Sequence, residues 1–83
     1  MENDLREKLE RFKIKAEEIA NENLKAFIID VNDTYYFCNI IFVGHATILI
    51  ENFKGQRAGE REKLFWADIV KLEMYKEKEE LLR

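Results

Sequence analysis

Eighty-three residues, 47% of them hydrophobic and 12% aromatic, suffice for one domain with one core and exclude a multidomain enzyme. A net charge of -3 argues against a generally polybasic nucleic-acid or membrane binder while leaving room for a local basic patch. The single cysteine, Cys38, excludes an internal disulfide and a multi-cysteine zinc site and points to a reducing, cytoplasmic setting.

The opening Met1-Glu2-Asn3-Asp4 lacks the basic-then-apolar order of a signal peptide, and no apolar run reaches membrane-spanning length. The lack of proline and serine, the one glutamine (Gln56) and the 37% of charged residues fit a thermophilic source. Residues 4 to 23 read as one amphipathic helix: Leu5, Leu9, Phe12, Ala16, Ile19 and Ala20 recur at steps of three and four, and Asp4 followed by Glu7 resembles a capping box. The stripe is too short for a free coiled coil, so the helix is expected as a lid on a core, with Glu7, Lys8, Glu10, Arg11, Lys13, Glu17 and Glu18 on its solvated faces.

From Leu24 the chain turns β-branched and aromatic. Ala26 to Val31 reads as a first strand and Asn32-Asp33 as its hairpin turn. Thr34 to Val43 is apolar on both alternating faces, with Tyr35, Phe37, Ile41 and Val43 on one and Tyr36, Cys38, Ile40 and Phe42 on the other, so both need cover. Gly44-His45 marks a short turn, and Ala46 to Phe53 returns as a third strand with Ile48 and Ile50 on one side. Lys54 to Glu62, with Gly55 and Gly59 among charges, reads as a loop, Lys63 to Trp66 as a fourth strand, and Ala67-Asp68 as an interruption. Val70, Leu72 and Met74 alternate with Lys71, Glu73 and Tyr75, the pattern of a last strand with one face buried. Lys76 to Arg83 is a charged tail, helical or frayed. The order predicts a mainly β domain: an N-terminal α-helix, then a strongly bent, five-stranded antiparallel barrel over residues 24–75.

One helix and five strands, with a charged loop between the third and fourth, resemble the Sm and Sm-like (LSm) family of RNA-associated proteins over nearly the whole chain. Gly44-His45-Ala46-Thr47-Ile48-Leu49-Ile50-Glu51-Asn52 is similar to the first family motif, and Leu64-Phe65-Trp66-Ala67-Asp68-Ile69-Val70 stands where the second lies. Val43 occupies the place of a motif aspartate, Thr47 that of an asparagine, and Trp66-Ala67 that of an arginine-glycine pair. The resemblance implies an SH3-like barrel in a homo-oligomer, a hexameric or heptameric ring, in which Leu64 to Trp66 pair with Ile69 to Tyr75 of a neighbour. It also implies single-stranded RNA as partner, with His45 and Trp66 flanking a base and Thr47 and Asp68 addressing its edge. Imidazole and indole both offer π faces, and base-aromatic stacking is worth about 1–3 kcal/mol per base with little sequence preference.

Read from the residues alone, each of these positions has a structural role open beside the functional one. His45, the only histidine, is a turn residue or a base-stacking one. With no serine, and Cys38 seven residues away on a strand, it has no evident partner for nucleophilic catalysis or metal binding, so no enzyme activity, cofactor or metal is expected. Trp66 is core, subunit interface or ligand contact. Lys54, Arg57, Arg61 and Lys63 outnumber Glu60 and Glu62 in residues 54 to 63, whereas residues 26 to 53 hold Asp30, Asp33 and Glu51 and no lysine or arginine. That loop is a solvated hairpin or a phosphate contact repeated around a ring. Gly55 and Gly59 lack the spacing of a phosphate-binding motif, Asp30 and Asp33 fit turn chemistry better than paired acid-base catalysis, and Cys38 reads as an inert packed thiol. Three functions follow: an RNA-binding Sm-like oligomer, a structural or adaptor module of the same fold that has lost the RNA site, and a monomeric protein-binding barrel like those appended to ribosome-maturation and transcription factors.

Overall fold

A computed structural model describes the backbone of residues 2–75 and the side chains of residues 6–75; the expected tail, Lys76 to Arg83, lies outside them. Helix α1 (Glu2–Asn21) starts ahead of Asp4, which therefore sits inside the first turn and is not the N-cap that the capping box requires. Acidic residues are well placed there, near the positive end of the helix dipole. The helix stops two residues earlier than its polar pattern suggests. Asn23 takes the left-handed conformation (φ 61°), the amide of Leu24 donates to the carbonyl of Ile19 at 2.9 Å, and that of Asn23 donates to Ala20 at 3.0 Å. This is a Schellman stop with asparagine in the position usually held by glycine.

The strands are β1 (Lys25–Asp30), β2 (Tyr35–Val43), β3 (Thr47–Asn52), β4 (Arg61–Phe65) and β5 (Ile69–Met74), with a 3-10 turn over Trp66–Asp68. They form one antiparallel sheet in the order β4-β3-β2-β1-β5, with α1 the one α-helix among the described residues, which is the mainly β architecture expected. The barrel is not closed, however: among the described residues β4 and β5 are two unpaired edges. The sheet is nonetheless strongly curled. Laid flat, five strands would hold their edges roughly 19 Å apart, at ~4.8 Å per strand. Three residues of 3-10 turn, rising roughly 2 Å each, bridge β4 to β5 only if the sheet bends until those ends approach.

Two bulges revise the expected faces. The β2–β3 register slips between Ile40 and Phe42, so Val43 joins the core side of Tyr36, Cys38 and Ile40, while Phe42 is turned outward and is 64% exposed. A second slip, where Ile29 faces Lys71 but Asp30 faces Ile69, makes Val70 the extra residue of β5. Ile69 and Leu72 are buried, Val70 is exposed, and Met74, although in line with Leu72, lies open at the edge. The β3–β4 loop also ends sooner than expected: Gly59 (φ 90°) donates its amide to Asn52 at 2.7 Å, so Arg61 and Glu62 already belong to β4.

The core joins Ala16 and Ile19 of α1 to Ala26, Ile28, Tyr36, Cys38, Ile48, Ile50, Trp66, Ile69 and Leu72, with Leu9 and Phe12 packed against it. The helix is thus a lid on one face of the sheet, as its stripe predicts. Cys38 is fully buried, its thiol donating to the carbonyl of Ala26 at 3.8 Å, and burial, aided by the charge of Glu62, pushes it up to about 12. Its thiolate form is therefore suppressed at neutral pH. Iodoacetamide at pH 8 is expected to leave Cys38 unmodified in the folded protein and to alkylate it once denaturant is added; mass spectrometry showing fast native labelling would contradict this packing. Among the described residues no helix is long and apolar enough to cross a membrane.

Candidate functional site

The two motif-bearing segments meet at one end of the sheet. Gly44 closes the β2–β3 turn by donating its amide to the carbonyl of Thr47 at 2.8 Å, and a Cβ at Gly44 would stand 2.9 Å from that oxygen, so the turn is this tight only with glycine. From the start of the 3-10 turn, Trp66 donates its amide to Ala46 at 3.1 Å and its indole N–H to the carbonyl of Gly44, also at 3.1 Å. Thr47 lies opposite Phe65 in the β3–β4 register. His45 is held at the exposed tip of the turn.

Trp66 does not offer a face for stacking. Its side chain is 2% exposed, and it serves as a core residue that latches the His45 turn. The aromatic ring that does reach solvent is the preceding one, Phe65, at 57% exposure. Strand alternation carries the signal: with Leu64 packed inward, Phe65 must point out and Trp66 in.

Beside this turn, under the first half of α1, lies a cleft of about 640 Å³. Its apolar lining is Leu9, Ala46, Ala67, Phe65 and Trp66, and its polar groups are Arg6, Lys13, Glu10 and His45. Lys13 is within 3.9 Å of Glu10. Lys13 reads in the sequence as part of a solvated helix face and Arg6 carries no signal there; the packing of α1 beside the His45 turn brings both to the cleft. Such a cleft can hold a flat ring between apolar walls with an anionic group near Arg6 or Lys13.

The other expected contacts are not brought to it. Thr47 and Asp68 do not line the cleft. The carbonyl of Thr47 is taken by Gly44, and that of Asp68 accepts the amide of Val31 at 2.8 Å. The cationic loop lies at the far end of β3, six residues or roughly 20 Å away at ~3.3 Å per residue. Arg57 there pairs with Glu62 at 3.2 Å, donates to the carbonyl of Tyr35 at 3.1 Å and stacks 4.7 Å above the ring of Tyr36. Arg61 pairs with Glu51 at 3.0 Å, and Lys54 rests 5.1 Å over Phe37 and donates to the hydroxyl of Tyr75 at 3.3 Å. Lys63 is exposed in mid-β4, opposite Leu49.

Arg57 also closes a polar network that ties this loop to the β1–β2 hairpin. Asp30, 8% exposed, accepts the amides of Asn32 at 2.9 Å and Thr34 at 3.0 Å on one oxygen and the hydroxyl of Tyr36 at 3.0 Å on the other. Burial alone would raise its carboxyl, but the three donors together outweigh burial and hold it below the usual carboxylate value. Tyr36 is pushed the opposite way, first by burial and then by Asp30, with Arg57 partly offsetting both. Glu62 continues the network by accepting from the amide group of Asn52. Asp30 is thus a turn residue, as its spacing from Asp33 suggests, and no buried side-chain nitrogen or oxygen among the described residues lacks a partner.

Among the described residues no three histidine, cysteine, aspartate or glutamate side chains gather as a potential metal site. In comparison with known proteins, no family model and no curated protein matches this chain.

Proposed function

We propose that the chain is a non-catalytic, Sm-like RNA-associated protein whose copies join edge to edge into a ring and which holds single-stranded RNA at the cleft beside His45. The observation that carries this reading is the pair of sheet edges, β4 and β5, left unpaired among the described residues: β4 reaches the cleft through exposed Phe65, and β5 bears exposed Val70 and Met74. Unpaired sheet edges are templates for another strand, and β4 meeting the β5 of a second copy is a head-to-tail contact of the kind that closes into rings. The order of one helix and β4-β3-β2-β1-β5 supports the same resemblance that the motif segments suggest. In the cleft, His45 and Phe65 supply the π faces, and Arg6 and Lys13 supply phosphate contacts.

A second reading, an adaptor of the same fold without an RNA site, is favoured by the burial of Trp66 and by the carboxylate pairing of Arg57 and Arg61. Solution mass by light scattering, with and without a short oligo-uridine, separates the two. The Sm-like reading expects an assembly of several copies that gains mass with RNA. Val70→Lys is expected to break it into folded monomers, because it replaces an exposed apolar side chain of the β5 edge with a charge beside Lys71. His45→Ala is expected to keep the assembly and weaken RNA binding about tenfold, the worth of one stacked base. An assembly indifferent to RNA would support the adaptor, and a monomer indifferent to RNA would support a protein-binding barrel.

A further inference from the structure

The sheet has a second face, opposite α1, and it is unusual. A solvent-facing side of an antiparallel sheet is ordinarily polar. Here the outward residues of β1 and β2, joined by the residues that follow β3 and β5, form a continuous row of rings: Tyr35, Phe27, Phe37, Tyr75 and Phe53. Successive centroids are 5.6, 5.2, 5.6 and 5.4 Å apart. Three ammonium groups converge on the row: Lys71 lies 6.0 Å from Phe27, Lys54 lies 5.1 Å from Phe37 and 5.6 Å from Tyr75, and Lys25 lies 5.2 Å from Phe53. Of the outward carboxylates on these strands, Glu51 is held by Arg61, and Glu73 stands opposite Phe27 with no cation within salt-bridge distance among the described residues. In a chain of net charge -3, three cations against one free carboxylate is a local reversal of sign.

We infer that this juxtaposition of Tyr35, Phe37 and Tyr75 with Lys25, Lys54 and Lys71 is a second contact surface for single-stranded nucleic acid, on the side of the sheet away from the cleft. The excess of lysine over carboxylate opposes a second copy docked symmetrically through the same face, since it sets net positive charge against net positive charge. The rings call for a ligand with flat faces and the lysines for one with regularly spaced anions, and single-stranded nucleic acid has both. Each ammonium resting on a ring is a ready exchange: a base displaces it from the π face, and it swings on its flexible stem to the adjoining phosphate. Tyr35, 54% exposed, is the most open ring and the natural first stacking point. The proposal shares a ligand class with the function proposed above but none of its residues.

The test is fluorescence anisotropy with labelled oligo-uridine and oligo-adenosine across a salt series, with circular dichroism and light scattering on every variant. Tyr35→Ala is expected to weaken binding about tenfold. The surface triple variant Lys25→Gln, Lys54→Gln, Lys71→Gln is expected to stay folded and lower the salt slope by about 2, since each phosphate contact contributes about 0.7. If these variants bind as the parent does while His45→Ala loses affinity, the outer-face proposal falls and the cleft reading stands. If the outer-face variants lose affinity and His45→Ala does not, the cleft reading falls and the outer face stands. No RNA binding by the parent overturns both, and a triple variant that changes only the solution mass shows a protein contact and overturns the proposal.

Discussion

Trp66→Ala is expected to destabilise the fold by about 3–5 kcal/mol, the range for deleting a large aromatic side chain from a core. Trp66 is the largest fully buried side chain, and its indole N–H is spent on the carbonyl of Gly44. Removal opens a cavity between sheet and helix and also frees the turn that carries His45. Small domains hold only about 5–15 kcal/mol in total, so the variant approaches the limit of folding. At about 4–8 °C per kcal/mol for a domain of this length, thermal unfolding followed by circular dichroism should shift down by roughly 12–40 °C. Trp66→Phe keeps most of the volume and loses mainly the hydrogen bond, so it should cost clearly less. If Trp66→Ala melts like the parent and loses only RNA affinity, Trp66 is a ligand contact and its place in the core is refuted.

Asp30→Ala should be the most damaging change among the polar residues, at about 2–3 kcal/mol. The buried Tyr36 hydroxyl loses its acceptor, at about 1–3 kcal/mol for an unsatisfied buried group, while water can reach the amides of Asn32 and Thr34 and limit their share. The pH dependence follows from the sign of the shift. The folded protein holds Asp30 below its ordinary value, so the unfolded chain binds the proton first as acid is added. The contribution is therefore fully present above the unfolded value, about 3.9, and is lost as pH falls through the lower folded value. Urea unfolding at pH 7 and at pH 3 checks both statements. The gap between the parent and Asp30→Asn, which carries no charge, should narrow at the lower pH; a gap independent of pH would show that Asp30 does not act as a carboxylate acceptor.

Where periodicity alone decides, the elements could be read from the residues. Leu9, Phe12, Ala16 and Ile19 fall on one helical stripe and do form the lid, Ile48 and Ile50 share the buried face of β3, and Asn32-Asp33 does turn the chain. What escaped was set by single-residue slips. Nothing in the identity of Ile41 or Val70 marks it as the extra residue of a bulge, yet each slip moves its neighbours to the opposite face, exposing Phe42 and replacing Val70 by Ile69 in the core. The motif resemblance puts Trp66 beside a base, whereas alternation from Leu64 points Phe65 outward and Trp66 into the core. The row of rings on the outer face could not be read locally at all: Phe27, Phe37, Phe53 and Tyr75 come from four separate stretches and meet only through strand register.

The short 3-10 turn has a mechanical consequence. At one end Trp66 grips Gly44 and Ala46, and at the other the carbonyl of Asp68 holds Val31, so three residues bind the β2–β3 turn, the β1–β2 hairpin and both sheet edges to one another. Curvature, edge separation and the mouth of the cleft then form a single degree of freedom. The opening beside His45 is therefore framed by the same turn that joins the two sheet edges.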